Sequence, residues 1–409
     1  MIRFPANFRL LLGSLLFALL LGEGAARLLT RTDEDGQAWL GSFALLPYRF
    51  PAATTRAAIE RYLRLRDQAY IVRDPQLGWD LAPNAVGGDG LYRTNAAGLR
   101  SPPREYAAHP PPGVVRVALF GDSFTHGDEE PWEKYWGAFL EEELNASGRR
   151  AEVLNFGVPG YGVGQAYLRW LRDGTAFHPD IAVFGFQPEN MRRTVNVFRQ
   201  LYSRSTGMIF SKPRFRLTSS GTLEAVNLPI LPLEEVPAAL ERLPSIALGA
   251  YEYWYRPDHY RDCRLYRSRL AALIVSALFA PGGRPGGDDD HGPGLLPEAE
   301  GSEGWEVTRT LLEAFAASVR EEGAVPVIVH IPDKPSLKEI EAGRRPPYLD
   351  LLDELAARGV PVCDPAAELA RGHKFYKHAH LSSRGGRALA RFLARELERY
   401  LDAGEGTAP

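Results

Sequence analysis

The stretch Val114-Val-Arg-Val-Ala-Leu-Phe-Gly-Asp-Ser-Phe-Thr-His-Gly127 carries the reading of the whole chain. Residues 114–120 are apolar and rich in valine apart from Arg116, which predicts a buried strand. The run ends in Gly121-Asp122-Ser123-Phe124-Thr125, a polar turn that holds a serine hydroxyl at the strand's carboxyl end. In open α/β sheets ligands bind outside the carboxyl ends of the strands. Ser123 is therefore a candidate nucleophile, and the chain around it should build such a sheet.

Outward from this block, strands are predicted over 152–156, 180–186, 325–331 and 360–363. Helices are predicted over 132–144, 164–172, 307–321, 348–357 and 384–401. Strands that alternate with helices imply a parallel sheet covered on both faces. The predicted fold class is α/β: a three-layer α/β/α sandwich with a five-stranded parallel sheet, flavodoxin-like, spanning 113–402. A large insertion, 187–304, falls between strands 3 and 4 and is expected to border the active site as a cap. Within it 215–226 reads as a hairpin about Ser219-Ser220-Gly221, and 251–256 is the densest aromatic cluster. The Gly/Pro/Asp-rich stretch 281–294 reads as a disordered loop, and its Asp288-Asp-Asp-His291 as a solvated acidic tip rather than a metal site. Segment 31–112 lacks the alternation and reads as a lead-in packed on the sheet domain, ending in a stiff proline-rich linker. Residues 403–409 read as a disordered tail.

The serine block resembles the first block of the SGNH (GDSL-type) hydrolase family, in which the serine is the nucleophile. It is not the Gly-x-Ser-x-Gly elbow of α/β-hydrolases, because Thr125 stands where the second glycine should be. Leu154-Asn-Phe-Gly-Val-Pro-Gly-Tyr-Gly162 resembles the second block, and the match places the oxyanion-binding glycine at Gly160. A dinucleotide loop would want an acidic residue at the end of the next strand, where Ala182-Val-Phe184 stands instead. The third block, usually Gly-x-Asn-Asp, reads Gly185-Phe-Gln-Pro-Glu-Asn-Met191, with two extra residues and no Asp after the Asn. The resemblance implies an oxyanion hole of Ser123, Gly160 and Asn190, with Gln187 as second choice for the side-chain donor.

His378-Ala-His-Leu-Ser-Ser-Arg-Gly-Gly386 resembles the family's last block, which makes His380 the base that activates Ser123. That block is usually Asp-x-x-His, and here Lys377 stands three residues before His380. The acid's work is to hold the imidazole in one tautomer and to stabilise its charged form. Three arrangements remain: a Ser–His dyad with a backbone carbonyl or His378 orienting the ring, an acid from elsewhere in the chain, or a weakened enzyme. The dyad is preferred, with Asp122, His378 and Gln187 in support. His126 reads as a helix-start or pocket residue, and as an alternative base behind His380. The resemblance implies no metal and no organic cofactor.

The 409 residues, 45% hydrophobic and 24% charged, suit one large globular domain with additions. A net charge of −3 gives no basic field for nucleic acid. Cys263 and Cys363 form no Cys-x-x-Cys motif, and two free buried thiols are preferred over a single disulfide. At the N-terminus Arg3 and Arg9 precede an uncharged apolar run, 10–21. That run is short for a bilayer span of ~20 residues and about right for a signal-peptide core. Gly24-Ala25-Ala26 could be a cleavage site, but Glu23 and Arg27 can snorkel and Leu28-Leu29 extend the apolar face. A retained single-pass anchor (1–30) with the sheet domain extracytoplasmic is preferred over secretion after cleavage. The expected function is a serine esterase acting through an acyl-enzyme. It would hydrolyse or transfer acyl groups, with O-acetyl esters on an extracytoplasmic glycan as the expected substrate. The alternative is a membrane-tethered, glycan-binding protein of the same fold with weak or no turnover.

Overall fold

The structure, a computed structural model, describes residues 6–279, 297–370 and 375–405. The loop read at 281–294, with Asp288 to His291, and the end of the tail lie outside the described residues. Along the chain the principal elements are α1 (Ala6–Leu29), α2 (Ala52–Leu65), β1 (Val115–Gly121) and the single turn α3 (Ser123–His126). They continue with α4 (Trp136–Ala146), β2 (Ala151–Asn155), α5 (Val163–Arg169), β3 (Ile181–Phe186), α6 (Glu189–Thr194) and α7 (Arg269–Phe279). The last are α8 (Glu303–Glu321), β4 (Val325–His330), α9 (Lys334–Glu341), α10 (Leu349–Ala357), β5 (Val362–Cys363) and α11 (Ser383–Glu405).

The five strands form one sheet in the order β5-β4-β3-β1-β2, with every neighbouring pair parallel. Parallel neighbours need crossovers, and the helices between strands supply them and cover both faces. The side-chain period of two sorts each strand. Val117, Leu119, Val153, Val183, Val327 and Val329 pack with Phe139 and Leu140 of α4 and with Leu389, Leu393 and Leu397 of α11. The i, i+4 spacing of those leucines gives α11 its apolar stripe. On the other face Phe120 stacks on Phe156 at 4.7 Å and meets Trp170 and Phe315 edge-on, while Phe184 meets Phe315. The fold is the predicted three-layer α/β/α sandwich.

Packing divides the chain into two compact units. One holds 62–197, 210–231 and 295–409; the other holds 1–61, 198–209 and 232–294. The boundaries differ from those read in the sequence: the lead-in divides near residue 61, and the insertion contributes to both units. The lead-in also has structure of its own, namely α2 and three small antiparallel sheets. In the sheet unit the predicted hairpin pairs Arg214–Leu217 with Leu223–Val226 around Gly221, at φ +78°.

In the second unit Trp254 is buried against Tyr202 and Tyr253, so the aromatic cluster is core to that unit. Ala272 of α7 packs on Ala38 and Leu45, and Ser276 accepts a hydrogen bond from the Leu46 amide at 2.8 Å. Of the two cysteines, both free, Cys363 is buried but Cys263 is exposed, which corrects half of that expectation.

Candidate active site

The serine turn is held from several sides. Gly121, at φ +152°, pairs with Gly185 on β3. A Cβ on Gly121 would lie 2.3 Å from Thr125 Oγ1 and 2.9 Å from the Gly185 carbonyl, so the crossing admits only glycine. Asp122 caps α3 by accepting from the Phe124 amide at 2.9 Å, and Gly127, at φ +85°, ends it after one turn. Behind the turn Asn155 donates from Nδ2 to the carbonyls of Thr125 and His126, at 3.1 and 3.2 Å. Ser123 thus sits at the carboxyl end of β1 with its hydroxyl fixed.

His380 reaches it from the far end of the sequence. A tight hairpin, closed by the Tyr376–Leu381 bridge and the Lys377 N–H to His380 carbonyl bond of 3.0 Å, presents the imidazole at its tip. His380 Nε2 lies 2.8 Å from Ser123 Oγ. Its Nδ1 lies 3.0 Å from Oε1 of Glu129. In the tautomer this arrangement favours, Nδ1–H donates to the carboxylate, which leaves Nε2 bare to accept from the serine hydroxyl.

The group at Nδ1 is thus an acid from elsewhere in the chain, and not the backbone carbonyl or His378 that the preferred dyad would place there. His378 is exposed and offers only its amide, which donates to Glu129 Oε2 at 3.1 Å. Lys377, in the place of the family's Asp, donates from Nζ to the Glu129 carbonyl at 3.0 Å. Burial pushes the Glu129 carboxyl up. The bond from His380 and the amides of His378 and Ala379 outweigh it, so the group lies below the usual glutamate range. The signal was present in Asp128-Glu129-Glu130, six residues past the serine, but the family's motif directs attention to the histidine loop instead.

Asp122, fully buried, accepts at Oδ2 from Gln187 Nε2 (2.8 Å), Asn190 Nδ2 (3.0 Å) and Arg193 (2.8 Å). Asn190 Nδ2 also faces the Tyr161 carbonyl at 3.4 Å, which takes up the second amide proton. Gly160 lies in a turn at φ +82° that Trp79 steadies by donating to the Pro159 carbonyl at 3.0 Å. Among the described residues the amides of Ser123 and Gly160 have no hydrogen-bond acceptor.

His126 is fully buried, with Nε2 2.8 Å from the Tyr70 hydroxyl and Nδ1 on Asp128. Burial lowers its pKa to about 4, against the pull of Asp128. With both nitrogens engaged it is a buttress of the loop, not an alternative base. Arg100, also buried, binds the carbonyls of His126, Gly127 and Glu130 and lies over the rings of Tyr92 and Tyr135, at 4.9 Å from each. Tyr92 in turn accepts from the Glu129 amide at 2.8 Å. Tyr70, Tyr92 and Arg100 come from the lead-in, where no functional motif marked them.

In fold the chain is similar to several solved structures. An acetyl xylan esterase is 11% identical, with 69% of this chain and 99% of that one covered and a TM-score of 0.36. The lipase/acylhydrolase from Enterococcus faecalis is 14% identical, covers 70% and 96%, and has a TM-score of 0.35. A psychrotrophic esterase from Pseudoalteromonas sp. is 9% identical, covers 70% and 98%, and has a TM-score of 0.36. No protein-family model matches the sequence, and no curated protein is similar to it at a significant level.

Proposed function

We propose that the protein is a serine esterase that works through an acyl-enzyme. The observation that carries this reading is the unbroken chain Ser123 Oγ–His380 Nε2 at 2.8 Å and His380 Nδ1–Glu129 Oε1 at 3.0 Å. Ser123 attacks the ester carbonyl while His380 takes its proton; the imidazolium then protonates the departing alkoxide. Glu129, ionised throughout, holds the ring in the tautomer that leaves Nε2 bare. The unpaired amides of Ser123 and Gly160 hold the developing oxyanion, each donor worth ~3 kcal/mol. Asn190, whose amide protons are both taken up, positions Asp122 beneath the serine turn instead. Water, or a sugar hydroxyl, then takes the acyl group from Ser123. O-acetyl esters of a glycan outside the cytoplasm are the substrate class we favour.

The alternative, a glycan-holding protein without turnover, rests on the missing acid at 377 and on the altered third block; Glu129 speaks against the first ground. The test is fluorophosphonate labelling of the folded wild-type protein together with turnover of a small acetyl ester. Labelling at Ser123, lost in Ser123→Ala and in His380→Ala, is expected. Folded protein inert to both reagents would rule out the esterase and leave the binding reading.

We infer also that α1 is a retained membrane anchor. It is long and apolar enough to span a bilayer from Asn7 to Leu29, and none of its apolar core is buried. Its last turns are built into the folded unit: Ala26 is buried, and Glu23 accepts from Ser268 Oγ at 2.7 Å and from the amides of Arg269 and Leu270 at 3.1 and 3.0 Å. Cleavage after Ala26 would remove the carboxylate that caps α7.

A further inference from the structure

Helix α7 is dressed the wrong way round for water. From Leu270 to Phe279 it has no charged residue and one polar one, Ser276. That one faces inward, where its hydroxyl meets the Leu46 amide, beside Ala272 on Ala38 and Leu45. The outward positions are apolar: Ile274 is 50% exposed and Leu278, one turn on, is 70% exposed. A helix on a soluble surface puts its polar residues out and its apolar stripe in. Here the outer face has nothing to offer water.

Its surroundings say what covers it. The start of α7 is clamped to α1 by Glu23, and the Leu270 side chain lies against Gly22. The outer face is thus tied to a helix whose own leucines, from Leu10 to Leu21, stand open. Leu28 and Leu29, beyond the clamp, are exposed as well, at 89% and 68%. Exposed arginines flank both helices, Arg31 after α1 and Arg264 and Arg267 before α7. That pairing of apolar face and basic rim fits acyl chains below and anionic headgroups around. At 11 residues α7 is too short to span, since a crossing needs ~20.

We propose that α7 is a second lipid-contacting element, lying in the bilayer interface where α1 leaves it, with Ile274 and Leu278 in the acyl region. The inference rests on the reading of α1 as a retained anchor. The second unit is then held to the membrane at two places, and its tilt is fixed by the Glu23 clamp.

The test uses the full chain with Cys263→Ser, reconstituted into vesicles of equal parts phosphatidylethanolamine and phosphatidylglycerol. A fluorophore is attached at Ile274→Cys, Leu278→Cys, Leu16→Cys or Ser220→Cys, and each labelled protein is checked for an unchanged melt in detergent. Quenching is read with nitroxide-bearing lipids and with aqueous iodide. Lipid quenching at 274 and 278, with iodide quenching several-fold weaker than at 220, is the expected result. Iodide access at 274 and 278 equal to that at 220 would overturn it. So would shielding from both quenchers, which would mean that protein covers the face. Lipid quenching at 16 but not at 274 or 278 would overturn the inference and spare the anchor. A label at 16 without lipid quenching would remove both.

Discussion

Glu129 stands at φ +71°, a left-handed conformation that costs a non-glycine residue about 1–2 kcal/mol. The Tyr92 hydroxyl holds its amide and Lys377 its carbonyl, so the carboxylate is aimed at His380 by backbone geometry. Glu129→Gln keeps the shape and removes the charge. We expect it to lower kcat on a small acetyl ester by about 10²–10⁴-fold with little change in melting temperature. Equal turnover in the two proteins would discard Glu129 as the orienting acid. Lys377→Asp sets at 377 the residue of the block that this loop resembles, yet it should reduce activity, because it releases the Glu129 carbonyl and sets a second carboxylate beside the first. A gain in kcat would mean that the histidine loop can take its acid from position 377 instead. The pairing of Ser123 with His380 was legible because a motif marks each. Glu129 was not, because its role depends on one backbone angle and two partners from distant segments.

The loop after α3 shows what an element can hide. His126 is kept neutral by burial, with its pKa lowered to about 4, whereas an unfolded histidine titrates near 6.5. Between those values the unfolded chain binds a proton that the folded one refuses, so stability falls as the pH drops through that window. One such proton gives a slope of up to about 1.4 kcal/mol per pH unit. Urea melts from pH 7.5 to 4.5 should show a shallower slope in His126→Gln than in the wild type; identical slopes would refute the assignment. At the neighbouring crossing, Gly121→Ala would set its methyl 2.9 Å from the Gly185 carbonyl. We expect a loss above about 3 kcal/mol, or no folded protein, read from the melt. The strands and long helices of the sheet domain were readable from their periods. Helix α9 was overlooked although Asp333, which caps it at 2.7 Å from the Ser336 amide, and Pro335 are an ordinary start signal. The third block was legible as a place but not as a role: its Gln187 and Asn190 serve Asp122, and only contacts across the sheet show that.

At the scale of the molecule, the proposal that α1 is a retained anchor makes a plain prediction. The protein should stay in the membrane fraction through a carbonate wash, and intact-mass measurement should return the full 45.3 kDa chain. A mature form beginning near residue 27 would overturn it. The division into two units was not legible, since each is assembled from segments that composition does not mark as related.

That interleaving has a consequence for the order of assembly. The Leu46 amide finds Ser276 across 230 residues of chain, and Glu23 finds Leu270 across 247. Contacts of such long sequence separation form late, because loop closure comes before any stabilising return. The first sixty residues therefore leave the ribosome long before their partners exist. The segment between them can close around β1, β2 and β3 largely on local crossovers, while the N-terminal segment waits for its partners. On this order the Ser123 turn is expected to form before the second unit is complete. Synthesis that stalls before residue 270 should leave the first sixty residues open to chaperones and proteases.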